Sequence, residues 1–236
     1  NAYSITNTGG VSTGQTYPFG WGIFNDQSPA GNNWTPSGIS GAFGTTLDYL
    51  GDAPTLTSAT VSNYAVLNPL DKNSSVTTSD ANLTVYGSIT NCGIRSTMAM
   101  TSGKWYFEGI LSSISGSAPM IGIALATWDL SYLGTTTGSV GYAANSTIYG
   151  PISGGTGTPA TYTTGDVIGV AYDASANQLS FYKNGVAQIT GITPASTGTY
   201  FPALSMQINT WTINYGQQPF KYTPPSGYVA LNAYNL

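Results

Sequence analysis

The side chains that could carry out chemistry are few. The chain has no histidine, a single cysteine (Cys92) and nine acidic residues, of which Glu108 is the only glutamate. Without histidine, the commonest general base, the usual zinc ligand and the Ser-His-Asp triad are lost together. One cysteine allows neither an internal disulfide nor a Cys-rich metal cluster, and Cys92 reads as a small buried thiol. Glycosidic cleavage needs two carboxyl groups flanking one bond, so at least one would have to be an aspartate. Asp166 and Asp173 bracket a strand-like run, but a strand of that length holds its ends roughly 20 Å apart. Asp48 and Asp52 sit in a turn-rich stretch, where aspartates cap turns. Calcium needs about six to eight oxygens. Asp71, Asn73 and Asp80 make only a thin cluster, with no Asp-x-Asp-x-Asn loop. Ser153-Gly154-Gly155-Thr156-Gly157 opens no helix and reads as a flexible loop, not a phosphate cradle. These residues predict a protein without cofactor, metal or catalysis.

Composition narrows the partners. Only 6 % of the 236 residues are charged, and Ser, Thr, Asn and Gly take their place. The five cations, Lys72, Arg95, Lys104, Lys183 and Lys221, are scattered in a chain of net charge −4. They form no phosphate-tracking stripe, so nucleic acid is not an expected partner. No apolar run approaches the roughly 20 residues that span a bilayer. The first residues have neither a basic nor an apolar leader segment, so no signal peptide is expected, and the missing initiator Met suggests a processed or partial chain. With 41 % apolar residues, the chain can still build a sizeable core.

The elements that must position any site are strands. Residues 167–172 form a near-continuous apolar run, as in a strand covered on both faces. A small polar break at 173–177 follows, and residues 178–182 resume as an aromatic-rich strand. Asn184-Gly185 then supplies a two-residue hairpin turn. Residues 104–111 and 120–126 read as core strands, with Trp105 inward. Residues 81–86 and 94–100 are expected to pair, and 200–208 and 211–215 to form two further strands. Residues 128–137 and 143–160 read as long loops. No amphipathic helical segment exceeds about two turns, and no repeat of about 20–50 residues appears. Short strands separated by turn residues predict an all-β, antiparallel two-sheet sandwich. Residues 74–236 are assigned to it. Residues 1–73 are assigned to an extended N-terminal arm and turn-rich lead-in, whose aromatics Tyr17, Phe19, Trp21, Phe24 and Trp34 need a surface on which to lie.

Several of these segments also carry a resemblance. Gly-Asp-x-x-Gly-x-x-x-Asp at 165–173, followed by Leu179-x-Phe181-Tyr182-x-Asn184-Gly185, resembles the central signature of the SPRY domain, a concanavalin-like jelly-roll sandwich. Gly103-Lys104-Trp105-Tyr106-Phe107-Glu108, Ile121-Gly122-Ile123-Ala124 and Gly138-x-x-Gly141-Tyr142 precede it in family order. Tyr200-Phe201-Pro202-Ala203 and Asn214-Tyr215-Gly216-Gln217-x-Pro219-Phe220 follow. Upstream, Gly31-Asn32-Asn33-Trp34-Thr35-Pro36 resembles a segment found ahead of SPRY domains in tailed-phage structural proteins. There a laminin-G-like module often comes first; none fits within residues 1–24, so such a module is either absent or missing from this chain.

The resemblance implies a binding surface made by loops at one end of the sandwich. By position it points to Trp128, Tyr132, Tyr149 and Tyr162 as ligand-contacting aromatics, residue types that supply rigid area at low entropic cost. It further implies a non-enzymatic virion surface protein of a bacteriophage, most simply the host-recognition module of a tail fibre, spike or head fibre. The alternative is a capsid decoration protein whose arm cements neighbouring subunits. Expected partners are other virion proteins in an oligomeric assembly and a host surface glycan or protein. Phe19, Trp21 and Phe24 are the expected assembly contacts.

Overall fold

Thirteen strands and no helix make up the part of the chain that the computed structural model describes, namely Ser58 and residues 62–115 and 118–236. Phe19, Trp21 and Phe24 lie outside the described residues. In chain order the strands are β1 (Leu67–Lys72), β2 (Val76–Ser79), β3 (Thr84–Ser96), β4 (Lys104–Ile114), β5 (Met120–Leu125), β6 (Ser139–Ala143), β7 (Ile148–Tyr149), β8 (Ile152–Thr156), β9 (Val167–Asp173), β10 (Gln178–Lys183), β11 (Val186–Pro194), β12 (Tyr200–Asn214) and β13 (Val229–Ala230). Every pairing is antiparallel except that of β13 with β4.

The strands form one curled sheet in the order β7-β6-β5-β12-β4-β9-β10-β11-β8, with β3 also along β12. β12 is the element that turns one sheet into two layers. Its first part pairs with β5, from Tyr200 opposite Leu125 to Ser205 opposite Met120. Its last part pairs with β4, from Asn209 opposite Ile114 to Asn214 opposite Glu108. Between them Ile208 takes a φ of 58°, and on β3 Asn91, which falls between the partners of Met206 and Gln207, takes a φ of 57°. Register shifts fall at the same place in the β3–β12 ladder. Bulges with left-handed residues bend a strand sharply, which is how a strand passes from one layer to the next. β7 and β8, at the two ends of the path, are joined by Gly150-Pro151 alone, so one short segment borders both layers.

Several sequence expectations are corrected here. Residues 81–86 and 94–100 do not pair with each other: 84–86 and 94–96 lie at the two ends of the single strand β3, which pairs with β12 and with β1 and β2. Residues 200–208 and 211–215 are likewise one strand. In both cases Gly, Asn and Thr looked like turn chemistry but form a bulge. The stretch 143–160 contains β7 and β8, and the stretch read as lead-in contains β1, which pairs with β3.

The core lies between the layers. All seven residues of β9 are buried, as its apolar run predicted. Trp105, Phe107, Tyr172 and Phe181 from one layer meet Ile121, Ile123, Val140 and Tyr142 from the other. Tyr142 and Phe181 bring their ring centroids to 5.6 Å, and Tyr172 and Tyr200 to 5.5 Å. The Asn184-Gly185 turn has φ values of 50° and 79°, the paired left-handed geometry expected of that dipeptide. Asp166 locks it, accepting from the Asn184 amide at 2.7 Å and the Thr163 N–H at 2.8 Å, with Lys183 at 3.2 Å. Burial alone would raise the Asp166 carboxyl, but these donors outweigh it and hold it below the usual carboxylate range.

A loop platform as the candidate functional site

The loop between β5 and β6 folds back over the outer face of its own layer. Three anchors hold it there. The Gly93 N–H of β3 donates to the Leu130 carbonyl at 2.8 Å, and the Ser205 hydroxyl of β12 donates to the Ser131 carbonyl at 3.1 Å. The third anchor is Arg95, only 5 % exposed. Its guanidinium forms a two-point pair with Asp71, Nε to Oδ2 and Nη2 to Oδ1, both at 2.7 Å. Nη1 donates to the Trp128 carbonyl at 2.7 Å and the Leu125 carbonyl at 3.1 Å. A planar fork of donors suits this task, satisfying a carboxylate and two loop carbonyls at once.

Beneath the loop lies a second apolar cluster of Met120, Ala124, Trp128, Leu133, Ala143 and Ala203, apart from the main core. Trp128 is 2 % exposed and lies on Gly93, where an added Cβ would come within 2.2 Å of the indole. The expectation that Trp128 contacts a ligand is therefore corrected: the ring is consumed in seating the loop. Tyr162, 4 % exposed, is corrected in the same way. Its hydroxyl sits 2.7 Å from the Pro119 carbonyl and 2.8 Å from that of Tyr142, and its ring packs edge-on to Tyr142. An amphipathic aromatic whose hydroxyl finds interior acceptors is as stable inside as at an interface.

Tyr132 and Tyr149 remain partly exposed, and the structure brings them together. Their rings meet edge to face, with centroids 5.2 Å apart and planes at 79°. The contact requires Gly134 (φ 82°), because an added Cβ there would meet the Tyr149 carbonyl carbon at 2.3 Å. Around the pair, Asn145 offers its side-chain amide to the Tyr149 hydroxyl at 3.4 Å, and the Thr135 hydroxyl donates to the Tyr132 carbonyl at 2.8 Å. Asp129, exposed, closes a turn by accepting from the Ser131 hydroxyl at 2.6 Å. The two phenols differ. Burial pushes Tyr132 up, and its bond to Tyr149 adds to the rise, whereas hydrogen bonds from Asn145 and Tyr132 draw Tyr149 down. Both rings stay partly exposed beside each other. This arrangement offers rigid aromatic area edged by amide and hydroxyl groups, suited to contact with a polar surface.

The carboxyl groups are otherwise engaged. Asp71 serves Arg95, Asp166 the Asn184-Gly185 turn, and Asp173 accepts from the Ala176 N–H at 3.0 Å with Lys104 at 3.4 Å. Among the described residues no group of three or more Cys, Asp or Glu side chains could hold a metal ion. Sequence reasoning missed Arg95 and Asp71 as the platform's organisers. The available signal was that Arg95 is the only arginine in a chain so poor in charge.

Comparison with known proteins agrees with this architecture. Residues 104–218 match the family model described as the SPRY domain. The SPRY domain of human HERC1 superposes with a TM-score of 0.55 at 16 % identity, covering 65 % of this chain and 99 % of that one. The PSpry domain of TRIM65 gives a TM-score of 0.50 at 13 % identity, covering 64 % and 90 %. In sequence the chain is 40 % identical over 76 residues to the E3 ubiquitin-protein ligase RKP of Arabidopsis thaliana, and 29 % identical over 124 residues to the dual specificity protein kinase splA of Dictyostelium discoideum. It spans only 6 % and 5 % of those two proteins' lengths. Residues 104–218 thus match the SPRY domain, a class of module that generally mediates protein interactions.

Proposed function

We propose that this chain is a non-enzymatic surface module of a bacteriophage virion, and that the Tyr132–Tyr149 platform recognises the host surface as part of a tail fibre, spike or head fibre. The observation that carries the reading is the platform itself. An aromatic pair is held outward by a loop anchored through Arg95–Asp71, on a scaffold that does not depend on the loop's exposed residues. The neutral, hydroxyl-rich composition favours crowding in an assembly, and the resemblance of residues 31–36 to phage structural proteins supports a virion setting. The absence of histidine and the structural employment of Asp71, Asp166 and Asp173 argue for binding without turnover.

The test separates attachment from assembly. Tyr132→Ala with Tyr149→Ala should abolish binding of particles to host cells while the protein is still incorporated. Deleting residues 1–20 should release the protein from the particle. If the double substitution leaves attachment intact and the deletion weakens the capsid shell, the chain is a decoration protein instead.

A further inference from the structure

Away from the platform residues, β3, β12 and β4 carry a groove of about 350 Å³ on the outer face of the other layer. Leu83 and Ile110 give it an apolar floor, and Thr84 and Thr212 contribute hydroxyls 3.2 Å apart. Its wall is the segment after β12, which is braced by its own side chains. The Asn214 amide donates to the Gln218 and Pro219 carbonyls at 3.2 Å each, and Gln217 accepts from the Tyr215 N–H at 2.8 Å.

Glu108 lines this groove and is 2 % exposed. It accepts from the Tyr106 hydroxyl at 3.0 Å, the Tyr222 N–H at 3.0 Å and the Lys221 N–H at 2.8 Å. All three donors are neutral. Asp71, Asp166 and Asp173 each have a cation within 4.0 Å, whereas Glu108, the most buried acid, has none among the described residues, and neither does Asp80 at the groove's rim. A carboxylate has about four acceptor sites, so one on Glu108 is open. A buried carboxylate without a counter-charge gains more from a cation than one already paired.

We propose that the groove receives a lysine side chain from a partner protein. The apolar floor suits its four-carbon stem and the carboxyl group its ammonium. Lysine fits better than arginine because backbone N–H groups already occupy both Glu108 oxygens, which blocks a two-point fork and leaves a place for a point charge. Residues 1–57 contain no Lys or Arg, so that part of the chain cannot supply the group.

The test is titration of the protein with Nα-acetyl-lysine methylamide, followed by 1H–15N shifts of the Lys221, Tyr222 and Thr212 amides. Saturable shifts at these amides are expected, and the Nε-acetylated probe should give none. Glu108→Gln should weaken binding by at least about tenfold (about 1.4 kcal/mol). Thr212→Phe, which fills the groove without touching the hydrogen bonds of Glu108, should weaken it similarly while the fold persists. Equal binding of the neutral probe, or no saturable shift with the lysine probe, would overturn the proposal. So would binding that appears only in Lys221→Ala, because the groove would then be occupied by the chain's own ammonium. None of these outcomes bears on Tyr132 or Tyr149.

Discussion

Trp105 and Trp128 are equally withdrawn from solvent, each 2 % exposed, but they reach that state by different routes. Trp105 stands on β4 between β9 and β13, opposite Tyr172 and Val229, and its indole N–H donates to the Ser102 carbonyl at 2.6 Å. Trp128 lies in a loop on the outside of the other layer, with Arg95 5.8 Å from its ring centroid and no hydrogen-bond partner for its indole N–H among the described residues. Strand pairing and apolar packing bury the first. An ion pair and a glycine seat bury the second. The comparison teaches that the interior depends on apolar area and on neutral phenols, whereas the platform depends on a few polar anchors that can be removed one at a time.

The largest effect should come from alkaline pH, which attacks the interior. Burial pushes the Tyr142 and Tyr200 phenols up to about 12 and raises those of Tyr162, Tyr172 and Tyr215 as well. A raised folded value means the fold holds the proton more tightly than the unfolded chain does. Stability is therefore full below the unfolded value near 10 and falls as the pH rises from there towards the folded values. The loss is about 1.4 kcal/mol per pH unit for each phenol. Denaturation midpoints between about pH 8 and pH 11 should drop together with a cooperative rise in tyrosinate absorbance. Ionisation of these five buried phenols in a protein that keeps its midpoint would show that they are not sealed inside.

Trp105→Ala comes next, at roughly 3–5 kcal/mol for truncating a large buried aromatic. Chemical denaturation measures it, and an unchanged midpoint would remove β4 from the core. Arg95→Met should cost about 2–3 kcal/mol, less than a fully buried pair because the Asp71 side chain is 32 % exposed. This change should also speed hydrogen exchange at the Gly93 amide, which donates to Leu130, and leave the β4–β9 amides protected. If both regions loosen together, the platform is not a separable layer. Gly93→Ala is the finest probe, about 1–3 kcal/mol, because the added methyl group must displace Trp128. It should expose Trp128 without disturbing Trp105, read by proteolysis within residues 126–138.

Local pattern determined much of this protein. The aromatic run Trp105-Tyr106-Phe107, the apolar run of β9 and the Asn184-Gly185 turn encode their strands within a few residues, because strand preference and turn geometry are short-range properties. The SPRY signature was legible for the same reason, since its fixed residues are mostly the turns and strands that any such sandwich needs. The joining of residues 84–96 and of 200–214 into single bent strands was decided by tertiary pairing. A left-handed Asn91 or Ile208 is tolerated only where a partner strand holds both sides of a bulge. The site followed the same division. Aromatic residues in these loops were visible, but which of them stay exposed depended on Asp71, Gly93 and Arg95, up to 61 residues from Tyr132 in the chain. The outer face beneath the loop is made by strands β3, β5, β6 and β12, which adjoin only once the sheet has formed. Trp128 found apolar surroundings there, and Tyr162 found apolar and hydrogen-bonding ones in the core between the layers, that no local window of sequence contains, while Tyr132 and Tyr149 were left partly exposed.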